Sequence, residues 1–216
     1  LAEAVTNYVA LLGWSPKDTN QEIFTMEELI DAFSLDGISK SPAIFDYKKL
    51  DWMNGEYFKA MAPAAFAKLA RPFAGDLPAE LAEKWDYIAE VLRPRLSRLG
   101  EIGDAIHFLR EMPDYDLDCY TNKRNKTNAE KARALLPEAL PMLDSLEPWT
   151  PDAINAALDA FVEARGEKKG AVMWPLRIAV SGQKVTPGGV TEALFMLGKK
   201  NSLDRLKKSL AKLQSM

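Results

Sequence analysis

Two arginines flank a proline at Arg93-Pro94-Arg95, and a third stands in Pro175-Leu176-Arg177. A guanidinium offers five N–H donors in a planar fork and no acceptor. Arginines therefore suit ligands rich in acceptors, such as phosphates, carboxylates and the edges of bases. Arg93, Arg95 and Arg98 also have a plainer reading, as cations placed near a helix C-terminus where the dipole favours them. Thr186-Pro187-Gly188-Gly189 is a turn whose glycines admit close approach of a ligand to the backbone; it reads equally well as a simple helix start. Lys48 and Lys49, in SKSPAIFDYKKL, can meet phosphate groups or can stand in solvent as the charged face of a short helix.

Other chemistry has little material. His107 is the only histidine and Cys119 the only cysteine, so Ser-His or Cys-His catalysis and Cys/His metal sites have almost nothing to build on. His107 lies in DAIHFL as a helix residue. Cys119 lies in DYDLDCY, where neighbouring carboxylates disfavour a reactive thiolate. Adjacent acids such as Glu27/Glu28 and Asp114/Asp116 read as solvated pairs. Pro187-Gly188-Gly189 lacks the lysine and the preceding strand of a phosphate loop. Trp52, Trp149 and Trp174 can stack on bases, but at helical spacing they read first as core. No catalytic residue, metal site or cofactor site is expected in this chain.

The net charge of −3 is unevenly spread. From Gly166 onward ten Lys/Arg face three acids, a net of +7, and the remainder carries −10. A basic end on an acidic body attracts phosphate, although a lysine-rich last helix explains the same count. The 47% apolar content suits a protein with a real core. No apolar run approaches the roughly 20 residues of a membrane span. A lone cysteine fits a reducing cytoplasm. The chain begins at Leu1 within a helical pattern, which suggests a piece of a longer protein.

The elements that must carry these residues all read as helix. Apolar spacing predicts helices over Leu1–Leu12, ended by Gly13, and over TMEELIDAF, opened by a Thr25/Glu28 capping box. A short helix over Asp46–Met53 is expected to stop at Asn54-Gly55. Ala62–Phe73, a long segment from Leu77-Pro78 to Leu92, and Ser97–Arg110 follow, with Arg93-Pro94 as an interruption. Residues 113–126 are polar and aperiodic, and read as a linker. Thr127 and Glu130 form a second expected capping box, opening a helix to Leu146. Thr150-Pro151 opens a helix closed by Gly166. Lys168–Ser181, Gly188–Leu197 and Ser202–Leu213 complete the chain. An all-α fold of two consecutive helical bundles follows, split into 1–112 and 127–216.

Several segments resemble bacterial glutamyl-tRNA synthetase beyond its catalytic domain: NYVALLGWSP, the stretch Glu22–Tyr57, LRPRLSRLGEI, and WPLRIAVSG followed by TPGGVTEALFMLGKKNSLDRLKKSL. The resemblance covers essentially the whole chain in order. It implies a stem-contact helical domain running into a first anticodon-binding bundle up to residue 112, then a terminal anticodon-binding bundle from 127. The family's full-length enzyme joins glutamate to tRNA with ATP and magnesium. Its nucleotide-binding fold and lysine-rich loop are not expected in these residues. The implied partner is glutamate-specific tRNA, bound by a cytoplasmic monomer.

The resemblance also assigns residues. Arg95 matches the arginine that meets the third anticodon base, Arg177 a second arginine near the anticodon loop, and Thr186 and Gly188 the turn approaching the other bases. Arg93, Lys48 and Lys49 are further tRNA candidates. At Gly189 the family often carries a bulky apolar residue, so this sequence lacks a stacking surface there. Glutamate anticodons end in C and glutamine anticodons in G. Cytosine's pairing edge offers two acceptors and one donor, and guanine's offers one acceptor and two donors. A donor-only arginine therefore serves C better than G. The alternative is an all-helical protein-interaction scaffold without RNA binding, which the acidic first 165 residues favour.

Overall fold

The computed structural model describes residues 1–17 and 19–215. Helices dominate, and among these residues no strand forms, only isolated bridges between Trp14 and Ile38 and between Asn122 and Thr127. The first part holds α1 (Ala2–Leu11), α2 (Met26–Ala32), α3 (Tyr47–Ala60), α4 (Pro63–Ala70), the single-turn α5 (Ala79–Ala82), α6 (Trp85–Leu92) and α7 (Ile102–Arg110). The second holds α8 (Ala129–Asp144), α9 (Pro151–Arg165), α10 (Lys169–Ser181), α11 (Val190–Leu197) and α12 (Lys199–Gln214).

Local signals set several ends. Thr25 and Glu28 make the expected reciprocal capping box on α2. Thr150 caps α9 with Pro151 in its first turn, and Gly166 closes it in the left-handed conformation at φ 60°. Two expectations failed for tertiary reasons. The helix expected to stop at Asn54-Gly55 continues to Ala60. Gly55 is there for proximity: a β-carbon on it would stand 3.2 Å from the Leu96 carbonyl oxygen. Asn54 donates to the Ser97 carbonyl at 2.6 Å and accepts from the Leu1 amino group at 2.8 Å, so this pair staples α3 to its neighbours. The second capping box does not form, and the cap itself sits one residue later. Asn128 caps α8 through the Lys131 amide at 3.0 Å, while Thr127 is buried with no partner for its hydroxyl.

One apolar core runs from Phe58 to Leu213, and a small second cluster of Trp14, Phe24 and Leu29 closes the N-terminal end. The large core crosses residues 113–126. That segment has the expected lack of α-helix, carrying one 3₁₀ turn at Leu117–Tyr120. It is nonetheless packed rather than free. Tyr120 is fully buried, and its hydroxyl donates to Tyr115, Tyr115 to Ser209, and Ser209 to the Ala179 carbonyl.

A buried arginine joins the two halves. Arg205 of α12 donates to the carbonyls of Phe108 (2.7 Å) and Leu109 (3.4 Å) at the end of α7, and to Val180 (2.9 Å) at the end of α10. No carboxylate pairs with it among the described residues. Its charge is met instead by the partial negative charge of two helix C-termini.

Two outcomes are expected in urea unfolding. Arg205→Met strips three buried carbonyls of their donor and lowers stability by about 3 kcal/mol, and Arg205→Lys recovers only part of that because an ammonium lacks the fork. Tyr120→Phe keeps the packing and removes one link of the hydroxyl chain, costing about 1 kcal/mol.

Candidate nucleic-acid interface

A groove of about 520 Å³ opens between the end of α6 and the α10–α11 turn. One wall is Leu92, Arg95, Leu96, Asp104 and Ala105; the other is Gln183, Val185, Thr186 and Pro187. Residues about ninety positions apart are thus brought face to face. Pro94 and the short 3₁₀ turn Arg93–Arg95 interrupt the helical run after α6 and leave Arg95 exposed at the groove. The other wall is held from behind. Gly182 turns the chain at φ 67° with Pro113 and Tyr115 packed against it. The Ser181 hydroxyl donates to the Arg177 carbonyl at 2.7 Å and accepts from the Gln183 amide at 3.1 Å.

The two arginines of Arg-Pro-Arg have different tasks. Arg93 donates to the carbonyls of Lys59 and Met61, the latter at 3.2 Å, and so caps the C-terminal end of α3. These bonds commit its Nη1 to the fold, as a cap on the end of α3. Arg98 is likewise engaged, with Asp51 at 2.5 Å. Arg177 sits half-buried close to Arg95. Burial first, and then the positive charge of Arg95, push its guanidinium below its ordinary value, against the pull of Glu192. Its buried Nε has no hydrogen-bond partner in the protein.

Thr186 and Gly188 shape the turn. The buried Thr186 hydroxyl donates to the Gly188 carbonyl at 2.6 Å, so it is already spent. Gly188 is wedged so tightly that a β-carbon would lie 2.5 Å from Glu192 Cβ and 3.1 Å from Val91. The Gly189 amide donates to the Glu192 carboxylate at 2.6 Å and fixes the start of α11. Lys84 anchors the other end of α11, donating to the Phe195 carbonyl at 3.0 Å.

Lys48 and Lys49 are not brought to this groove. They occupy the first turn of α3, where Asp46 caps their amides, about 16 Å along the axis from Lys59. Lys49 pairs with Glu22. Trp149 and Trp174 donate their indole N–H groups to the Leu194 and Cys119 carbonyls as parts of the packing, whereas Trp52 is 43% exposed. Sequence reasoning missed Asp104, Gln183 and Val185. The last is 80% exposed at the groove, and an isolated valine between polar residues carries no pattern that singles it out.

Known glutamate–tRNA ligases resemble the chain along its length. A glutamate–tRNA ligase of Clostridium novyi is 43% identical over 99% of this chain and 44% of its own length. The glutamate–tRNA ligase of Clostridium tetani is 42% identical over the whole chain, again 44% of its length. The chain therefore spans less than half of these curated relatives. The crystal structure of a glutamate tRNA ligase from Elizabethkingia meningosepticum, in complex with its amino acid, superposes over 99% of the chain and 41% of that protein, with a TM-score of 0.81 and 28% identity. Residues 1–52 match the family model of the class I (E and Q) tRNA synthetase catalytic domain, so a piece of that domain lies within the chain. Residues 65–210, well over half of the chain and continuous across 113–126, match the model of the anticodon binding domain. The chain belongs to the anticodon binding domain family, in the form found in glutamate–tRNA ligases.

Proposed function

We propose that this chain grips the anticodon arm of a glutamate-specific tRNA and reads one anticodon base in the Arg95 groove. The observation that carries the reading is the groove itself, which sets an exposed arginine opposite the Thr186-Pro187 turn in a chain of the anticodon-binding family. Splayed single-stranded bases offer their pairing edges to such sites and stack on guanidinium planes. Arg95 supplies donors for the two acceptors of cytosine. Asp104 lines the same wall, and a carboxylate is the acceptor that suits cytosine's exocyclic amine. Guanine would leave donors facing Arg95 unsatisfied. Arg177 adds positive field from behind, and Val185 offers an apolar surface for a base.

In this reading the longer protein joins glutamate to tRNA with ATP. Neither ATP nor magnesium is assigned to residues here, and among the described residues no cluster of His, Cys, Asp and Glu has the geometry to hold a metal ion. Our domain assignment keeps 1–112 and 127–216 as functional halves joined by the packed 113–126 strap. Among the described residues no helix is long and apolar enough to cross a membrane.

The test is binding of two RNA hairpins that differ only in an anticodon ending in C or G. Wild type is expected to favour C by roughly ten- to a hundredfold. Arg95→Ala should erase most of that preference, and Arg93→Ala should lower stability more than it lowers the preference. Equal discrimination by wild type and Arg95→Ala defeats the assignment.

A second reading concerns the other end of the molecule. Eleven of the thirteen exposed large apolar side chains lie within residues 1–52, among them Ile30, Leu35, Ile44 and Tyr47. Residues 1–52 match the catalytic-domain family model, and we read this face as a contact for the rest of that domain in the longer protein. The two are separable by salt: RNA affinity falls steeply as counterions are released, whereas association through the apolar face does not weaken as salt rises.

A further inference from the structure

A second cavity, of about 470 Å³, lies at the opposite end of α10 from the groove and takes no part in base reading. We propose that it is a binding site for a phosphate group. Its volume falls within the roughly 300–1,000 Å³ of ligand pockets. Its lining brings together Arg124, Lys126, Lys131 and Lys168 from three separate segments. Among the described residues, none of the four lies within ion-pair distance of a carboxylate. The fifth cation, Arg165, is already held by Glu138 and Glu167 and serves the wall.

The floor is the first turn of α10, which no side chain caps. The Ala171 amide is engaged with the Lys168 carbonyl at 2.8 Å, which leaves the Gly170 amide as the helix-terminal donor among the lining residues, where the dipole favours an anion. Gly170 is required there: a β-carbon would stand 2.4 Å from Asn125 Oδ1, so the 122–127 turn lies directly on the helix. Lys126, the one non-glycine residue with positive φ (53°) among the described residues, stands at the tip of that turn. Lys131 pins it by donating to the Lys126 carbonyl at 2.7 Å. A turn held in a rarely adopted conformation thus presents Arg124 and Lys126 to the cavity.

The phosphate can belong to an RNA backbone or to a free phosphorylated molecule. Gly170 and Arg177 stand two turns apart on one stripe of α10, about 10 Å along the axis, so a strand read at the groove is within reach of the cavity. The site does not depend on the base-reading assignment.

The experiment uses the full chain, labelled with nitrogen-15, and follows the Lys169 and Gly170 amides on addition of inorganic phosphate against sodium chloride at equal ionic strength. Phosphate-specific shifts are expected in wild type and are lost in Arg124→Ala/Lys126→Gly. Glycine suits the left-handed position, so the Lys126→Gly single variant should melt no lower than wild type while binding phosphate more weakly. Hairpin RNA binding as a function of salt separates the sources. A log–log slope shallower in the double variant by about 0.7–0.9 per lost contact marks a backbone phosphate; an unchanged slope, with phosphate-specific shifts present in wild type and lost in the double variant, marks a free phosphorylated ligand, and shifts that persist in the double variant overturn the assignment of Arg124 and Lys126. Amides that respond alike to phosphate and chloride, together with an unchanged slope, overturn the proposal. Arg95→Ala should leave the Gly170 shifts intact, so failure at the groove and failure here are distinguishable.

Discussion

The fold turns on a cation buried without a counter-ion. Arg205 gathers carbonyls from the last turns of α7 and α10. An isolated buried charge is costly, and burial pushes this guanidinium below its ordinary value. The expense is offset because two helix C-termini converge on the fork, each offering oriented acceptors and partial negative charge. The same convergence fixes how α7 stands against α10. Asp104 and Ala105 of the groove belong to α7, and its other wall follows the end of α10, so one guanidinium sets the spacing of the two walls.

A second polar connection runs parallel to it. The Tyr120–Tyr115–Ser209–Ala179 chain draws residues 113–126 onto α10 and α12, and Lys212 adds an ion pair to Asp114 at 2.9 Å. This strap also supplies Pro113 and Tyr115 behind Gly182. The interior ties and the exposed groove are therefore one construction, with the hydroxyl chain fully partnered on the inside and the donors of Arg95 left free on the outside. Donors left without a protein partner lie where water can satisfy them.

Charge is redistributed in the same way. The basic terminal region counts Arg205, Lys199 and Lys212, yet Arg205 is buried and the two lysines are paired with Glu147 and Asp114. Lys200, Lys207 and Lys208 remain exposed there. A gathering of cations that make no ion pair among the described residues forms elsewhere, around α10's first turn, from positions 124, 126, 131 and 168. No block of like charge in the chain marks it, because its members meet only after α8 and α10 pack.

What the sequence determined by itself was local. Helical period, the Thr25/Glu28 box, the Thr150-Pro151 start and the Gly166 stop involve partners within about four residues, and the chain carries those contacts wherever it goes. Motif resemblance added the family and singled out Arg95. The tertiary structure decided whatever depended on a distant partner. Gly55 reads as a stop but is a contact point for Leu96. Thr127 reads as a cap but is buried, with Asn128 taking its task. Arg93 and Arg95 are the same residue type two positions apart, yet one closes α3 and the other faces the groove. That difference is set by the direction each side chain leaves a 3₁₀ turn and by which backbone carbonyls happen to be unsatisfied nearby, and composition and spacing hold neither.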